Sequence, residues 1–352
     1  MHRSVRSTAA CALALASSVA LAAGSSTVDA KFSRAPLPSS VKAAWQHSPY
    51  AADDCSICHE RNDKKNPGKV AKNGSALCLE CHGEFEALRS EKYVHAPVFA
   101  DCMKCHNPHD AQQRKLLYTE SVTSLCTACH QGIKSIAEKS PVKHDPVVKG
   151  RACLQCHSPH ATKIEKLLTA APFDQCIGCH SQPGLKDDKG VVMTNFKQLL
   201  ADNKVLHDPV AAKDCSACHT VHGGENFRML TTAYPAKFYA PFNPENYALC
   251  FGCHNDQVIS QRETTTLTRF RDGSRNLHYV HVNKADRGRT CRACHEVHAS
   301  PYPHQIREAV PYGPKNWMLK VGYEATPTGG MCAKTCHDAK PYVNRTAPVS
   351  QK

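Results

Sequence analysis

The sequence predicts an elongated chain that is mostly coil, with short α-helices and little or no sheet. Three observations lead to this fold class. A cysteine-rich pentapeptide recurs along the 352 residues, aromatic residues make up only 7% of the chain, and cysteines number 21. Ordinary secreted chains with so many cysteines form disulfide scaffolds, but here the spacing of the cysteines indicates a different use.

The recurring pentapeptide Cys-x-x-Cys-His is the attachment signature of a c-type haem. The two thiols add to the two haem vinyl groups, and the adjacent imidazole then reaches the iron. Nine copies have this form, and the tenth has one extra residue between its cysteines. A single copy could be accidental or part of a zinc site, but ten copies cannot reasonably be either. The cysteines predicted to attach haem are Cys55, Cys58, Cys78, Cys81, Cys102, Cys105, Cys126, Cys129, Cys153, Cys156, Cys176, Cys179, Cys215, Cys218, Cys250, Cys253, Cys291, Cys294, Cys332 and Cys336.

Ten c-type haems are therefore the predicted cofactors. The motif histidines predicted to bind their irons are His59, His82, His106, His130, His157, His180, His219, His254, His295 and His337. A chain of this length around ten haems cannot also build a separate apolar core, so the porphyrins must themselves form the core. We expect short helical turns at each motif, joined by coil, and a short amphipathic helix over 192–200.

Residues 1–30 read as a secretory signal peptide and its flank. Arg3 and Arg6 belong to a basic start, an apolar run follows, and cleavage is predicted after Ala22 or Ala30. Cys11, the cysteine left over from the haem motifs, lies in this leader. An uncleaved anchor is the alternative. No other apolar run approaches the roughly 20 residues that span a bilayer. We therefore expect an exported, periplasmic protein that is not itself transmembrane, with outer-membrane association or an extracellular site as variants.

The formal net charge of +13 does not indicate a nucleic-acid target. Removing the leader takes away Arg3 and Arg6, and each ferric haem with ionised propionates adds about one negative charge. The remaining basic residues are spread along the chain without a dense patch, which excludes nucleic acid as a partner. Many of them are expected to face haem propionates instead.

The motifs pair into five modules of two haems each. Within a pair the first cysteines are 23, 24, 23, 35 and 41 residues apart in chain order. Each module opens on an upstream histidine, namely His47, His95, His144, His207 and His281. In modules two to five the first motif continues to a second histidine three residues beyond its own, the continuation histidines His109, His160, His222 and His298. The predicted modules are 47–93, 94–142, 143–185, 205–256 and 278–340, followed by a tail at 341–352.

The number of free histidines nearly matches the number of second axial ligands required. Ten haems need ten ligands opposite the motif histidines, and eleven histidines remain outside the leader and the motifs. The nine upstream and continuation histidines recur at fixed module offsets and are the predicted distal ligands. The tenth is either His278 or His304. His278 competes with His281, because only three residues separate them. A haem with two histidine ligands has no open position for substrate, so this balance favours an electron carrier over an enzyme.

These motifs resemble the doubled-CxxCH multihaem cytochromes c, in particular the periplasmic decahaem cytochromes of metal-reducing and other respiratory bacteria. The resemblance spans about residues 47–337. It implies anaerobic respiration, with electrons taken from an inner-membrane quinol dehydrogenase or another periplasmic donor. It also implies transfer to an outer-membrane porin or cytochrome, or to a terminal reductase. Module one departs from the pattern because His59 is followed by Glu60-Arg61-Asn62. Module five departs in its longer Cys332–Cys336 spacing and looser upstream histidine.

Two other functions stay open from the sequence. One is a subunit of an extracellular cytochrome filament, in which a histidine of one subunit binds a haem of the next. The other is a multihaem reductase of nitrite, hydroxylamine or similar molecules with one open haem, suggested by the uncertain tenth ligand. Reductase activity is the less favoured of the two.

Overall fold

The computed structural model describes residues 32–313, 317–332 and 336–345. The predicted leader, including Cys11, Ala22 and Ala30, and residues 346–352 of the tail lie outside the described residues, as do residues 333–335 inside the tenth motif. Within the described ranges no helix is long and apolar enough to cross a membrane.

The first motif of every module contains a single 3-10 turn at its start. These turns are Cys55–Ile57, Cys102–Lys104, Ala152–Gln155, Cys215–Ala217 and Cys291–Ala293. A second set follows the first motifs of modules two to five, at Arg114–Leu116, Glu165–Leu167, Phe227–Met229 and Pro303–Gln305. Three more 3-10 turns lie at Gly83–Phe85, Ala87–Ser90 and Pro244–Tyr247. One turn suffices to bring a motif histidine back over its cysteines, because its backbone N–H bonds to the carbonyl of the first cysteine, as from His59 to Cys55.

The second motifs of modules one to four lie on or at the end of short α-helices. In chain order the α-helices are α1 Ser48–Ala51, α2 Ser75–Leu79, α3 Ala96–Ala100, α4 Val122–Thr127, α5 Gln131–Lys139, α6 Asp145–Val148, α7 Pro172–His180, α8 Phe196–Asp202, α9 Asp208–Ala211, α10 Ala248–Phe251, α11 Gln257–Ser260 and α12 Leu277–Val282. The helix predicted over 192–200 is observed as α8, with its start and end shifted toward the C-terminus. It begins later because the Asn195 side chain accepts a hydrogen bond from the Gln198 N–H, which caps the helix at that point.

Most strands are two residues long. They are β1 Trp45–Gln46, β2 Tyr93–Val94, β3 Asp110–Ala111, β4 Val142–Lys143, β5 Ala161–Thr162, β6 Val205–Leu206, β7 Gly223–Gly224, β8 Arg271–Asp272, β9 Arg275–Asn276, β10 Ala299–Ser300, β11 Ala309–Tyr312, β12 Trp317–Lys320, β13 Tyr323–Thr326, β14 Gly329–Cys332 and β15 Lys340–Val343. The predicted fold class, mostly coil with short helices and little sheet, is confirmed. The four-residue strands lie at the C-terminal end of the described chain in two sheets: β11 pairs with β12, and β14 lies between β13 and β15.

Four antiparallel ladders join each module to the next: β1 with β3, β2 with β5, β4 with β7, and β6 with β10. In every ladder the two residues before an upstream histidine pair with the two residues after the next module's continuation histidine. We call this arrangement the intermodule clamp. Each clamp connects segments more than 60 residues apart, so it fixes the contact between successive modules.

The protein interior contains few fully buried side chains. Tyr247, Asn276 and Ser300 are the largest of them among the described residues. The Tyr247 ring lies edge-on to Tyr234, whose hydroxyl accepts a hydrogen bond from the backbone N–H of Arg292 in the ninth motif. Side-chain packing therefore supports the motifs locally instead of forming one continuous core.

Candidate cofactor sites

Every motif histidine faces one other imidazole. The ring centroids are 6.0–6.4 Å apart, and nine of the ten pairs have interplanar angles of 9–28°. The tenth pair, His281 with His337, is tilted by 39°. The pairs are His59–His109, His82–His47, His106–His160, His130–His95, His157–His222, His180–His144, His219–His298, His254–His207, His295–His278 and His337–His281.

The separation of the rings fits a metal ion held between them. A metal bonded to one nitrogen of each imidazole at about 2.0 Å, with each nitrogen about 1.1 Å from its ring centre, requires centroids about 6.2 Å apart. Each pair would supply two imidazole ligands to such an ion, and the two cysteines of the motif would attach its porphyrin. The residues present therefore fit a haem at each motif.

Burial lowers the pKa of several of these imidazoles and so favours the neutral form that binds metal. Burial lowers the pKa of His160, and the neighbouring His106 lowers it further. The effect is large at His278, where burial, with smaller contributions from His295 and His281, lowers the pKa to about 4. Neutral imidazole has a free nitrogen lone pair, whereas imidazolium does not.

The pairing follows a rule that alternates along the chain. An upstream histidine faces the second motif of its own module, as His47 faces His82. A continuation histidine faces the first motif of the preceding module, as His160 of module three faces His106 of module two. The sites of neighbouring modules are thus interdependent, because each of modules one to four takes one imidazole from the next.

The intermodule clamp sets both imidazoles in place. The backbone N–H of His47 donates to the carbonyl of His109 at 2.8 Å, and its Nδ1–H donates to the carbonyl of Pro108 at 3.0 Å. His95 makes the same two bonds to His160 and Pro159, at 2.8 and 2.9 Å. A ring nitrogen that donates to a carbonyl fixes the ring orientation and leaves Nε2 free for a metal.

A second device orients the motif histidines of the first motifs. In each module the Nδ1–H donates to a carbonyl nine residues later, for example from His106 to Lys115 at 2.7 Å and from His157 to Lys166 at 2.8 Å. Lys115 and Lys166 have left-handed backbone, with φ of 63° and 59°. This conformation costs a non-glycine residue about 1–2 kcal/mol. Here it turns the carbonyl toward the imidazole.

His304 occupies this same position in module five. It lies nine residues after His295, has φ of 58°, and its carbonyl accepts the Nδ1–H of His295 at 2.9 Å. Its backbone has the role of Lys115 in module two, and the ring that faces His295 belongs to His278. Of the two candidates for the tenth distal ligand, His278 is therefore the one whose ring faces a motif histidine.

His278 and His281 do not compete for one site. Both lie on α12, and they face the two motifs of module five, His295 and His337 respectively. The ring of Phe270 contacts both imidazoles, with centroids 5.1 and 5.5 Å away. A single helix therefore supplies both second imidazoles of the last module.

Asn276 positions this helix, and the sequence analysis did not identify it. It is fully buried, and its Oδ1 accepts from the backbone N–H of His278 at 3.0 Å. Its Nδ2 donates to the carbonyls of Val258 and Gln261. An asparagine directly before an apolar helical run is an N-cap signal that could have revealed it.

The attachment cysteines place successive sites side by side in chain order. The first cysteine of a module's second motif lies next to the first cysteine of the following module, as Cys126 lies next to Cys153, and this contact raises the pKa of Cys126. The same contact joins Cys78 with Cys102, Cys176 with Cys215, and Cys250 with Cys291. Within a module the second cysteines are neighbours: burial raises the pKa of Cys105, and the nearby Cys129 thiol raises it further. Neighbouring sites therefore meet alternately at first and second cysteines.

A charged cluster lies between the ninth motif and His298, the imidazole that faces the seventh motif, and no sequence pattern indicated it. Glu296 contacts His298 and forms an ion pair with Arg307, whose side chain is 8% exposed. Arg292 and Arg307 each keep a buried Nε without a hydrogen-bond partner in the described structure. Such buried donors are suited to an anionic group like a haem propionate.

The repeat matches a known protein family. A family model described as a doubled CXXCH motif matches residues 47–87, 95–135, 144–184 and 207–259, half of the chain. Each matched segment begins at an upstream histidine, from His47 to His207. No curated protein matches the chain.

Proposed function

The chain belongs to the doubled CXXCH motif family, and we propose that it is a decahaem c-type cytochrome that carries electrons across the periplasm toward an outer-membrane or extracellular acceptor. A multihaem c-type cytochrome with a role in electron transfer follows from the family itself. The number ten, the route and the acceptor are what we propose.

The observation that carries this proposal is the complete set of ten facing imidazole pairs. We assign the motif histidines as proximal ligands and their facing partners as distal ligands. The distal set is His47, His95, His109, His144, His160, His207, His222, His278, His281 and His298. With two imidazoles each, the irons have no free position for a substrate, which supports a conduit over a catalyst.

The residues of the chain determine the path. A haem iron supplies one-electron chemistry by alternating between its ferric and ferrous states. The contacts between cysteines of successive motifs support a path that follows chain order, from Cys55 to Cys336. The clamps hold consecutive modules in register, so the spacing between sites is set by backbone pairing.

The proposed location and partners rest on the leader and on the attachment chemistry. Haem is attached to such motifs outside the cytoplasm, which agrees with the signal peptide predicted over 1–30. Electrons would enter from an inner-membrane quinol dehydrogenase or a periplasmic donor. They would leave to an outer-membrane porin or cytochrome, or to a terminal reductase. Fractionation of cells, together with a pull-down for a co-purifying β-barrel, tests this part separately.

The two alternatives draw less support from the geometry. A filament that shares ligands between subunits needs a motif histidine whose partner comes from another chain. A nitrite or hydroxylamine reductase needs an iron with an open position. All ten motif histidines lie among the described residues, and each faces an imidazole of the same chain.

Haem content and carbon monoxide binding test the proposal together. We expect ten haems per purified chain, a spectrum that is entirely low-spin, and no binding of carbon monoxide by the reduced protein. A monomer with these properties supports the intramolecular ligand set. Stoichiometric carbon monoxide binding at one or more haems, or turnover of nitrite, would contradict the conduit.

A further inference from the structure

Glu296 lies between a proposed haem ligand and a buried cation. Its Oε1 is 3.3 Å from Nδ1 of His298, and its Oε2 is 2.5 Å from Nη2 of Arg307. The side chains of His298 and Glu296 are each 25% exposed. His298 faces His219, the motif histidine of the Cys215–Cys218 site. The carboxylate thus contacts the outer nitrogen of an imidazole whose other nitrogen is directed toward the proposed iron.

Most other distal imidazoles meet uncharged acceptors. The Nδ1 of His278 is 3.2 Å from the hydroxyl of Thr268. Backbone carbonyls take this position for His47, His95, His109, His144 and His281. His298 therefore differs from these six distal imidazoles in having a carboxylate beside its Nδ1.

A carboxylate beside Nδ1 orients the imidazole and also changes its basicity. The carboxylate oxygen of Glu296, 3.3 Å from Nδ1 of His298, polarises the imidazole and makes it a more basic ligand. A more basic ligand stabilises ferric iron over ferrous iron. The negative charge of Glu296 acts in the same direction. Arg307 keeps this carboxylate in place, because its backbone N–H is bonded to the carbonyl of Cys294 at 3.0 Å.

Cations around the carboxylate act in the opposite direction. Arg307 and Arg292 lie close to Glu296, and Arg228 is near enough to both Arg292 and Glu296 to interact with them. Their positive charges favour the ferrous state of a nearby haem. Removing Glu296 would leave these cations unopposed, so both contributions predict a change of the same sign.

We propose that Glu296 is a positioning residue that lowers the reduction potential of the haem held between His219 and His298. This inference rests on the ligand set proposed above. The ion pair of Glu296 and Arg307 would then set the reduction potential of one haem in module four, so the ten haems would differ in potential.

The test is a spectroscopically monitored redox titration of the full-length haem-loaded protein with Glu296→Gln. Glutamine keeps the size of the side chain and removes its charge. We expect one haem in ten to become easier to reduce, with at least a tenfold change in its ferric-to-ferrous ratio at a fixed potential, or about 59 mV. All ten haems should stay low-spin.

The matched control is Glu84→Gln. Glu84 lies 3.4 Å from Nδ1 of His82, but its side chain is 65% exposed, so solvent screens its charge. We expect a smaller shift there. Arg307→Gln should shift the potential of the same haem in the opposite direction, which keeps the test informative if Glu296→Gln does not accumulate.

Two results would overturn the inference. In one, Glu296→Gln leaves all ten midpoint potentials unchanged. In the other, it converts a haem to high-spin, which would make Glu296 a purely structural support. His298→Ala tests the ligand set independently: if all ten haems stay low-spin in that variant, the proposed function's assignment of His298 fails instead.

Discussion

The pairing of His160 with a motif of the preceding module predicts which haem a His160 variant will affect. Proximity in sequence alone would predict a different haem. His160 is three residues from His157, yet its ring faces His106 of the preceding module at 6.2 Å. We predict that His160→Ala opens the haem attached at Cys102 and Cys105, and leaves the haem at Cys153 and Cys156 intact.

The expected magnitude follows from the ten one-to-one pairs. One distal imidazole serves one iron, so the low-spin signal should fall by one part in ten, and the reduced variant should bind one carbon monoxide per chain. The nearby His95 should not substitute for it, because its ring already faces His130 at 6.0 Å. Magnetic circular dichroism in the near infrared measures the low-spin population directly.

Double variants identify which haem has opened. If His160 and His106 hold the same iron, adding His106→Ala to His160→Ala leaves nine low-spin haems, whether or not the haem remains attached. Adding His157→Ala instead should leave eight, because a second site is then damaged. The reverse pattern, eight with His106→Ala and nine with His157→Ala, would refute the cross-module assignment.

Three further predictions concern module five and its supports. His304→Ala should keep ten low-spin haems, because this residue contributes its carbonyl and not its ring; a new carbon monoxide site in this variant would show that its imidazole is a ligand. Asn276→Ala should lower the free energy of unfolding by about 1–3 kcal/mol and loosen both ligands on α12, because it removes the helix cap and leaves two carbonyls unpaired. Denaturant unfolding measures this, with the exposed cap variant Asn243→Ala expected to cost less. Gly329→Ala should disrupt the sheet that carries Cys332 and so reduce the low-spin signal of the tenth haem, since an added Cβ would collide with the carbonyl oxygen of Tyr342; Gly132→Ala, with open space at its Cβ, should leave ten low-spin haems.

The motifs were readable from the sequence because covalent attachment requires a fixed local spacing. Short-range chemistry requires Cys-x-x-Cys-His, and it also produces the recurring turn at each first motif. The fold class followed, since closely spaced attachment points leave little chain for long helices. The late start of α8 is a local exception that depends on the cap at Asn195.

The pairing of distant imidazoles could not be read in the same way. It depends on two-residue ladders such as Trp45–Gln46 with Asp110–Ala111, which are too short to give a periodic signal. The role of His304 was readable in principle, because it lies nine residues after His295, just as Lys115 lies nine after His106. Glu296 and Arg307 meet only through tertiary packing, so no local pattern predicts their ion pair.

The intermodule clamp has a consequence for how such a protein is made and how it changes in length. A first site becomes complete only when the next module has been synthesised and has docked, so maturation should proceed from the N-terminus and stay one module behind the growing chain. In module five, by contrast, helix α12 supplies the imidazoles that face both motif histidines, so this module is complete within itself. Whole modules between the first and the last could then be gained or lost in evolution without redesign of either terminus.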